Sequence, residues 1–111
     1  MTYSTKKILT PCLLALIESI KKNEIDFSSR QIVLFLSIYL VDETHTIRGL
    51  AKSINISKAA VSRAVNYLES LGYVRRIADK KDSRSIIIQK TVKGKIVLDK
   101  FFSRFEKYIE K

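Results

Sequence analysis

A mainly α fold with one small β-hairpin is the class the sequence predicts, and three observations predict it. Apolar residues recur at helical spacing in five stretches. Ser28 or Ser29, Thr46, Ser57 and Thr91 stand before four of them, where a helix N-cap belongs. Between the fourth and fifth stretches lie two short runs rich in β-branched and aromatic residues, joined by a polar, basic segment.

The first helix is expected over about 5–22, where Leu9, Leu13, Leu16, Ile17 and Ile20 form a stripe widened by Ile8, Cys12 and Leu14. Pro11 lies within it and is expected to kink the helix or delay its start. So wide a stripe on a terminal helix predicts burial against a partner subunit. A second helix runs to about Val41 and is nearly all apolar, as a central core helix would be. A polar break follows at 42–45, with room for a short strand at 45–47.

Thr46 caps a third helix over 47–54, which buries Leu50, Ala51 and Ile54. Asn55 tolerates the left-handed backbone that a tight inter-helix turn needs. Ser57 caps a fourth helix over 58–71. Val61, Ala64, Val65, Leu68 and Leu71 fall on its inner face, and Lys58, Ala59, Ser62, Arg63 and Asn66 on its outer one. Gly72 suits the C-terminal cap. Strands over 73–78 and 85–89 are joined by Asp79, Lys80, Lys81, Asp82, Ser83 and Arg84, a hairpin with a basic tip within 73–90. Thr91 caps a last helix over 92–111, with Ile96, Val97, Phe101, Phe105, Tyr108 and Ile109 in its apolar stripe, which suggests a dimer seam or a return to the first helix. The whole is a winged helix-turn-helix (47–71 with its wing at 73–90), flanked by N- and C-terminal dimerisation helices, in a single domain over 1–111.

Charge narrows the function. The net charge of +10 is unevenly spread. Residues 1–47 carry five bases and five acids, whereas residues 48–84 carry nine bases and three acids. A basic block confined to a helix-turn-helix and its wing favours double-stranded DNA as partner over a generally lysine-rich surface. The outer face of the fourth helix is small, polar and basic, which suits a DNA groove. Arg63 and Asn66 have base-reading chemistry, since arginine pairs bidentately with guanine and asparagine with adenine. Ser57 and Lys58 suit phosphates, as do Lys80 and Lys81. Arg75 and Arg76 alternate along a strand, so only one of them can face DNA.

The single Cys12 excludes an intramolecular disulfide and fits a reducing cytoplasm. The apolar run at 12–17 is too short to span a bilayer, so no membrane partner is expected. His45 has no clustered ligands, so no metal is expected, and no cofactor either. Neither a phosphate-cradling glycine loop nor a nucleophile–base arrangement is present to suggest an enzyme.

Leu50-Ala51, SKAAVSRAVNYLESLGYVRR at 57–76, Asp82-Ser83-Arg84 and Thr91-Val92-Lys93-Gly94 occur in an order and spacing that resemble the MarR (multiple antibiotic resistance regulator) family of bacterial winged-helix transcription factors. The resemblance covers roughly 28–98 and implies a homodimeric regulator, a repressor, on a pseudo-palindromic operator. It implies that the fourth helix, with Ser57, Lys58, Ala59, Ser62, Arg63 and Asn66, reads the major groove. It further implies that Arg84 enters a minor groove and that Asp82 holds a wing arginine by a charge-assisted hydrogen bond. The family's ligand pocket, between the DNA-binding lobe and the dimer helices, implies a small-molecule effector of unidentified chemistry. Some members carry a peroxide-sensing cysteine near the first helix, which gives Cys12 a redox reading beside that of a small core residue. Two features depart from the family pattern. Lys90 stands where an apolar residue is usual, and one C-terminal helix stands where two are usual, so a smaller or differently arranged dimer interface is expected. A non-sensing architectural DNA-binding protein and a winged-helix protein-interaction module are the alternative readings.

Overall fold

The structure, a computed structural model, describes residues 1–24, 26–82 and 84–109. Ser83 of the wing motif and the last two positions of the helix expected to reach 111 lie outside the described residues. The order is α1 (Tyr3–Lys21), α2 (Ser29–Leu40), β1 (His45–Thr46), α3 (Ile47–Ile54), α4 (Lys58–Ser70), β2 (Val74–Ala78), β3 (Ile86–Lys90) and α5 (Val92–Tyr108). The mainly α class with a small antiparallel wing is the one the sequence predicts. The chain divides into two compact units: one is Phe27–Lys95, the other Met1–Asp26 with Ile96–Lys111.

In the first unit the local signals act where they stand. The Ser28 hydroxyl accepts the Gln31 N–H while Gln31 Oε1 accepts the Ser28 N–H, a capping box that starts α2. Thr46 and Ser57 accept from the N–H groups of Gly49 and Ala60, at 2.9 and 3.0 Å. Asn55 takes the left-handed conformation (φ 56°) at the end of α3. Leu71 is the C-cap of α4, and Gly72 (φ 79°) follows it in the left-handed position rather than being the cap itself. The sheet order is β1-β3-β2, all antiparallel, with Arg76 opposite Ile88 and Arg75 opposite Gln89. The strands are displaced from the expected spans by a residue: β2 begins at Val74, and β3 covers Ile86–Lys90.

The core of this unit is built from Leu34, Phe35 and Ile38 of α2, Leu50 of α3, and Val61, Val65 and Leu68 of α4, closed by Val74 and Ile88 of the wing. Phe27 sits edge-on to Phe35 (5.6 Å between centroids) and to Tyr67 (6.1 Å). Each fully buried side chain of this size contributes ~1.5–3 kcal/mol of transfer free energy before entropy is subtracted. The second helix is less enclosed than its composition suggests, since Val33 and Leu40 stay exposed.

A buried polar hub ties the ends of this unit together. The Tyr39 hydroxyl donates to the Tyr73 carbonyl at 2.7 Å and accepts the Thr91 N–H at 3.1 Å. Thr91 in turn donates its hydroxyl to the Gly72 carbonyl (2.6 Å) and accepts from the Gly94 N–H (3.0 Å), which caps α5. Gly94 is buried, and an added Cβ there would overlap the Tyr39 hydroxyl and the Tyr73 carbonyl.

In the other unit α1 starts two residues earlier than expected, on Thr2, whose side chain accepts the Thr5 N–H. It runs through Pro11 rather than starting after it, forgoing only the N–H that would bond the Lys7 carbonyl. Pro11, Ala15 and Ser19 form a buried stripe of small residues. Helices α1 and α5 pair through Arg104, which meets Glu18 at 3.3 Å and also engages Glu24 and the Ser19 hydroxyl. Lys107 donates to Glu18 at 3.0 Å.

That last bond is the main reason the Glu18 carboxyl titrates below its ordinary 4.5. Partial desolvation opposes it, and the charges of Lys107, Lys22 and Arg104 add to it. The same bond raises Lys107 above its ordinary 10.5. Glu18 therefore stabilises this pairing fully above about 4.5, and its contribution disappears as pH falls through the depressed folded value. The Lys107 contribution is present below 10.5 and disappears at higher pH. Glu18→Gln is expected to lower the thermal midpoint at neutral pH and to converge with the parent chain once the carboxylate is protonated. Parallel midpoint curves between about pH 3 and 7 would remove this pair from the account.

Candidate nucleic-acid interface

Helix α4 enters the core with Ala60, Val61, Ala64, Val65 and Leu68, which leaves Lys58, Ala59, Arg63 and Asn66 exposed and Ser62 half-buried. Five of the residues singled out from the sequence thus share one outer surface, with Ser57 at its N-terminal end as cap. Arg63 and Lys58 make no hydrogen bond or ion pair among the described residues, so their charges are available to an external partner.

At the wing, Lys80 and Lys81 are exposed and the Arg84 side chain is 93% exposed. Asp82 Oδ1 accepts the Arg84 backbone N–H at 3.1 Å and lies 3.6 Å from Arg84 Nε. Asp82 therefore shapes the turn mainly through the backbone, and its side-chain contact with Arg84 is a solvent-exposed ion pair. Between the wing and the helix-turn-helix lies a hollow of about 350 Å³, lined among others by Thr46, Arg48, Lys58, Asp82, Arg84 and Ser85. Three cations from α3, α4 and the wing border it. Arg48 joins the others only because β1 and α3 are carried up against the wing, which nothing in its local sequence signals.

The two adjacent arginines of β2 separate as alternation requires. Arg75 is exposed, and its Nε donates to Gln89 across the strand pair at 3.0 Å. Arg76 turns to α4. Its Nη2 donates to the Ser62 carbonyl (3.2 Å) and hydroxyl (3.0 Å), its Nη1 to Asn66 Oδ1, and it lies 3.5 Å from Glu69. Its backbone N–H donates to the same Glu69 at 3.0 Å. The outer face of α4 therefore has two halves: Lys58, Ala59 and Arg63 are free, whereas Ser62 and Asn66 are braced against the wing.

Cys12 is a free, half-buried cysteine on α1. Among the described residues no three His, Cys, Asp or Glu side chains converge to hold a metal ion, and no helix is long and apolar enough to cross a membrane.

Residues 25–85 match the sequence model of the MarR family. No curated protein matches the chain. Among solved structures, the fold is similar to that of the transcriptional regulator Tm0710 from Thermotoga maritima, at 24% identity over 97% of this chain and 77% of that one (TM-score 0.72). It is also similar to S. aureus MepR in a DNA complex, at 20% identity over 96% and 85% (TM-score 0.75). A mutant MarR from E. coli, complexed with operator DNA, matches at 19% identity over 96% and 70% (TM-score 0.69). These likenesses establish the shared fold. With the family model matched over more than half of its length, and with a capped helix-turn-helix and a basic wing in the expected order, the chain belongs to the MarR family of winged-helix transcriptional regulators.

Proposed function

We propose that this protein is a homodimeric, sequence-specific repressor that reads the major groove of a pseudo-palindromic operator with α4 and a flanking minor groove with Arg84. The observation that carries this reading is the convergence of Arg48, Lys58 and Arg84 on the hollow between the helix-turn-helix and the wing, with Arg63 of α4 and Lys80 and Lys81 of the wing also exposed. Arg63 pairs with guanine, while Ser57, Lys58, Lys80 and Lys81 hold phosphates and set the register. Ala59 is small enough to let the helix approach a thymine methyl. The relatives bound to DNA, MepR and E. coli MarR, support the same use of the fold.

Dimerisation is proposed from the apolar surface of α1. Ile8, Leu9, Leu13 and Ile20 are each more than half exposed, a continuous face that a soluble monomer would not leave open. A two-fold pair of α4 helices then meets half-sites ~34 Å apart. Replacing Leu13 with Asp is expected to yield a monomer by light scattering and to weaken operator binding by at least about tenfold, as the second half-site is lost. A dimer that survives this substitution would move the interface elsewhere.

The test of the function is binding to the duplex upstream of its own gene and to a scrambled duplex, across a salt series. A preference for the native site that persists near physiological salt is expected. Equal affinities that collapse together as salt rises would point instead to an architectural protein that coats DNA. No binding to any duplex would leave the fold as a protein-interaction module.

A further inference from the structure

We infer that Arg76, a wing residue, is a positioning residue that sets which bases α4 accepts, by turning Ser62 and Asn66 into hydrogen-bond donors. The inference rests on the reading of α4 as the major-groove helix. Its basis is chemical. A guanidinium has five donors and no acceptor, so whatever atom of the Asn66 amide faces Arg76 must be the oxygen. The amide is planar, so with Oδ1 held toward β2 its N–H2 group turns away from the wing, toward the exposed side of the helix. No described residue bonds that Nδ2. The same guanidinium donates to the Ser62 hydroxyl oxygen at 3.0 Å, leaving the hydroxyl hydrogen to be donated outward.

This arrangement changes what Asn66 can read. Bidentate pairing with adenine requires the amide to accept from N6 and donate to N7 at once, with both ends in the groove. With the oxygen fixed against Arg76, only the donor end is presented. Guanine, with two acceptors at N7 and O6, and thymine, with O4, then satisfy the site, whereas the N4 amino group of cytosine opposes it. Arg76 is well placed to hold this state. Its side chain is only 25% exposed, its strand is locked to β3, and Glu69 anchors it through both the backbone N–H and the guanidinium.

The experiment is to select a preferred site for the full chain from a randomised duplex pool. Relative affinities are then measured on duplexes that differ at single base pairs, for the parent chain, Arg76→Met and Asn66→Asp. The parent is expected to prefer guanine or thymine over cytosine by about tenfold at the base pair facing Asn66. Arg76→Met frees the amide, so adenine at that position should gain about tenfold relative to the parent profile. Asn66→Asp keeps an acceptor for Arg76 but presents an acceptor outward, so the preference should invert toward cytosine. Asn66→Asp shows that this side chain faces the base. Should Arg76→Met not fold, Arg76→Gln carries the test of Arg76: it offers the amide an acceptor as well as a donor and so lets it turn, and adenine should again gain.

A parent chain that selects a site, with Asn66→Asp leaving the base profile unchanged, would overturn the inference and leave the repressor reading intact. Uniform weakening of all duplexes by Arg76→Met, with no change in profile, would likewise reduce Arg76 to a brace. A parent chain with no base preference anywhere would overturn both readings.

Discussion

Gly94→Ala is expected to destabilise the Phe27–Lys95 unit by ~3 kcal/mol or more, against the direction that helix propensity alone predicts. Within a helix, alanine is favoured over glycine by ~1 kcal/mol. Here the new methyl would overlap the Tyr39 hydroxyl and the Tyr73 carbonyl, and would stand 2.8 Å from Tyr39 Cζ. The tyrosine is 7% exposed and its hydroxyl is held by Tyr73 and Thr91, so it cannot swing aside without losing those bonds. Steric overlap, typically ~1–3 kcal/mol, and buried polar groups left unsatisfied, ~1–3 kcal/mol each, together outweigh the propensity gain. Urea unfolding of Gly94→Ala, Tyr39→Phe and the double variant would measure this. Tyr39→Phe removes one of the two oxygens that the methyl meets, leaving the Tyr73 carbonyl, so the double variant should cost less than the sum of the single ones. A Gly94→Ala chain as stable as the parent would show that α5 does not approach Tyr39 so closely.

The second large effect concerns the free half of α4. Arg63→Ala is expected to weaken binding to the preferred site by ~1–3 kcal/mol and to flatten base preference at one position, the loss of one bidentate guanine contact. Lys58→Ala should instead weaken all duplexes alike and reduce the slope of log affinity against log salt by about one, as one phosphate contact is lost. The contrast between the two decides more than either value alone. If Arg63→Ala behaved like Lys58→Ala, Arg63 would be a phosphate contact, and the base reading would rest on the half of the face braced by Arg76.

Two positions illustrate how interface geometry modifies chemistry read from side chains. Asn66, taken by its residue type, suits adenine. Packed against Arg76, its Oδ1 already accepts from the guanidinium, which on the inference above leaves the N–H2 end to face a base. Asp82, implied by the resemblance to hold a wing arginine by a charge-assisted bond, engages Arg84 through the main-chain N–H at 3.1 Å and through an ion pair at 3.6 Å. For Asn66 the residue was legible and its partner was not; for Asp82 both were legible, and the structure decided which atoms of Arg84 it meets.

The boundary between legible and illegible follows the range of the forces. Helix starts at Ser28, Thr46, Ser57 and Thr91, the left-handed Asn55 and the glycine after α4 depend on bonds to residues within a few positions, so the amino-acid string determines them by itself. The inner stripe of α4 and its basic outer face follow from helical periodicity, and with them the candidate site. The continuation of α1 through Pro11 was less legible, because proline's local penalty is set against whatever its burial gains. The Arg76 brace joins residues 10 and 14 positions apart, the Tyr39 hub residues 34 and 52 apart, and the Lys107–Glu18 pair residues 89 apart. Such contacts exist only after the chain has closed its loops, and which side chains then meet depends on sheet register and helix packing that no local pattern encodes. Sequence alone thus determined the scaffold and the face it offers. The tertiary structure decided which polar groups on that face remain free to bind.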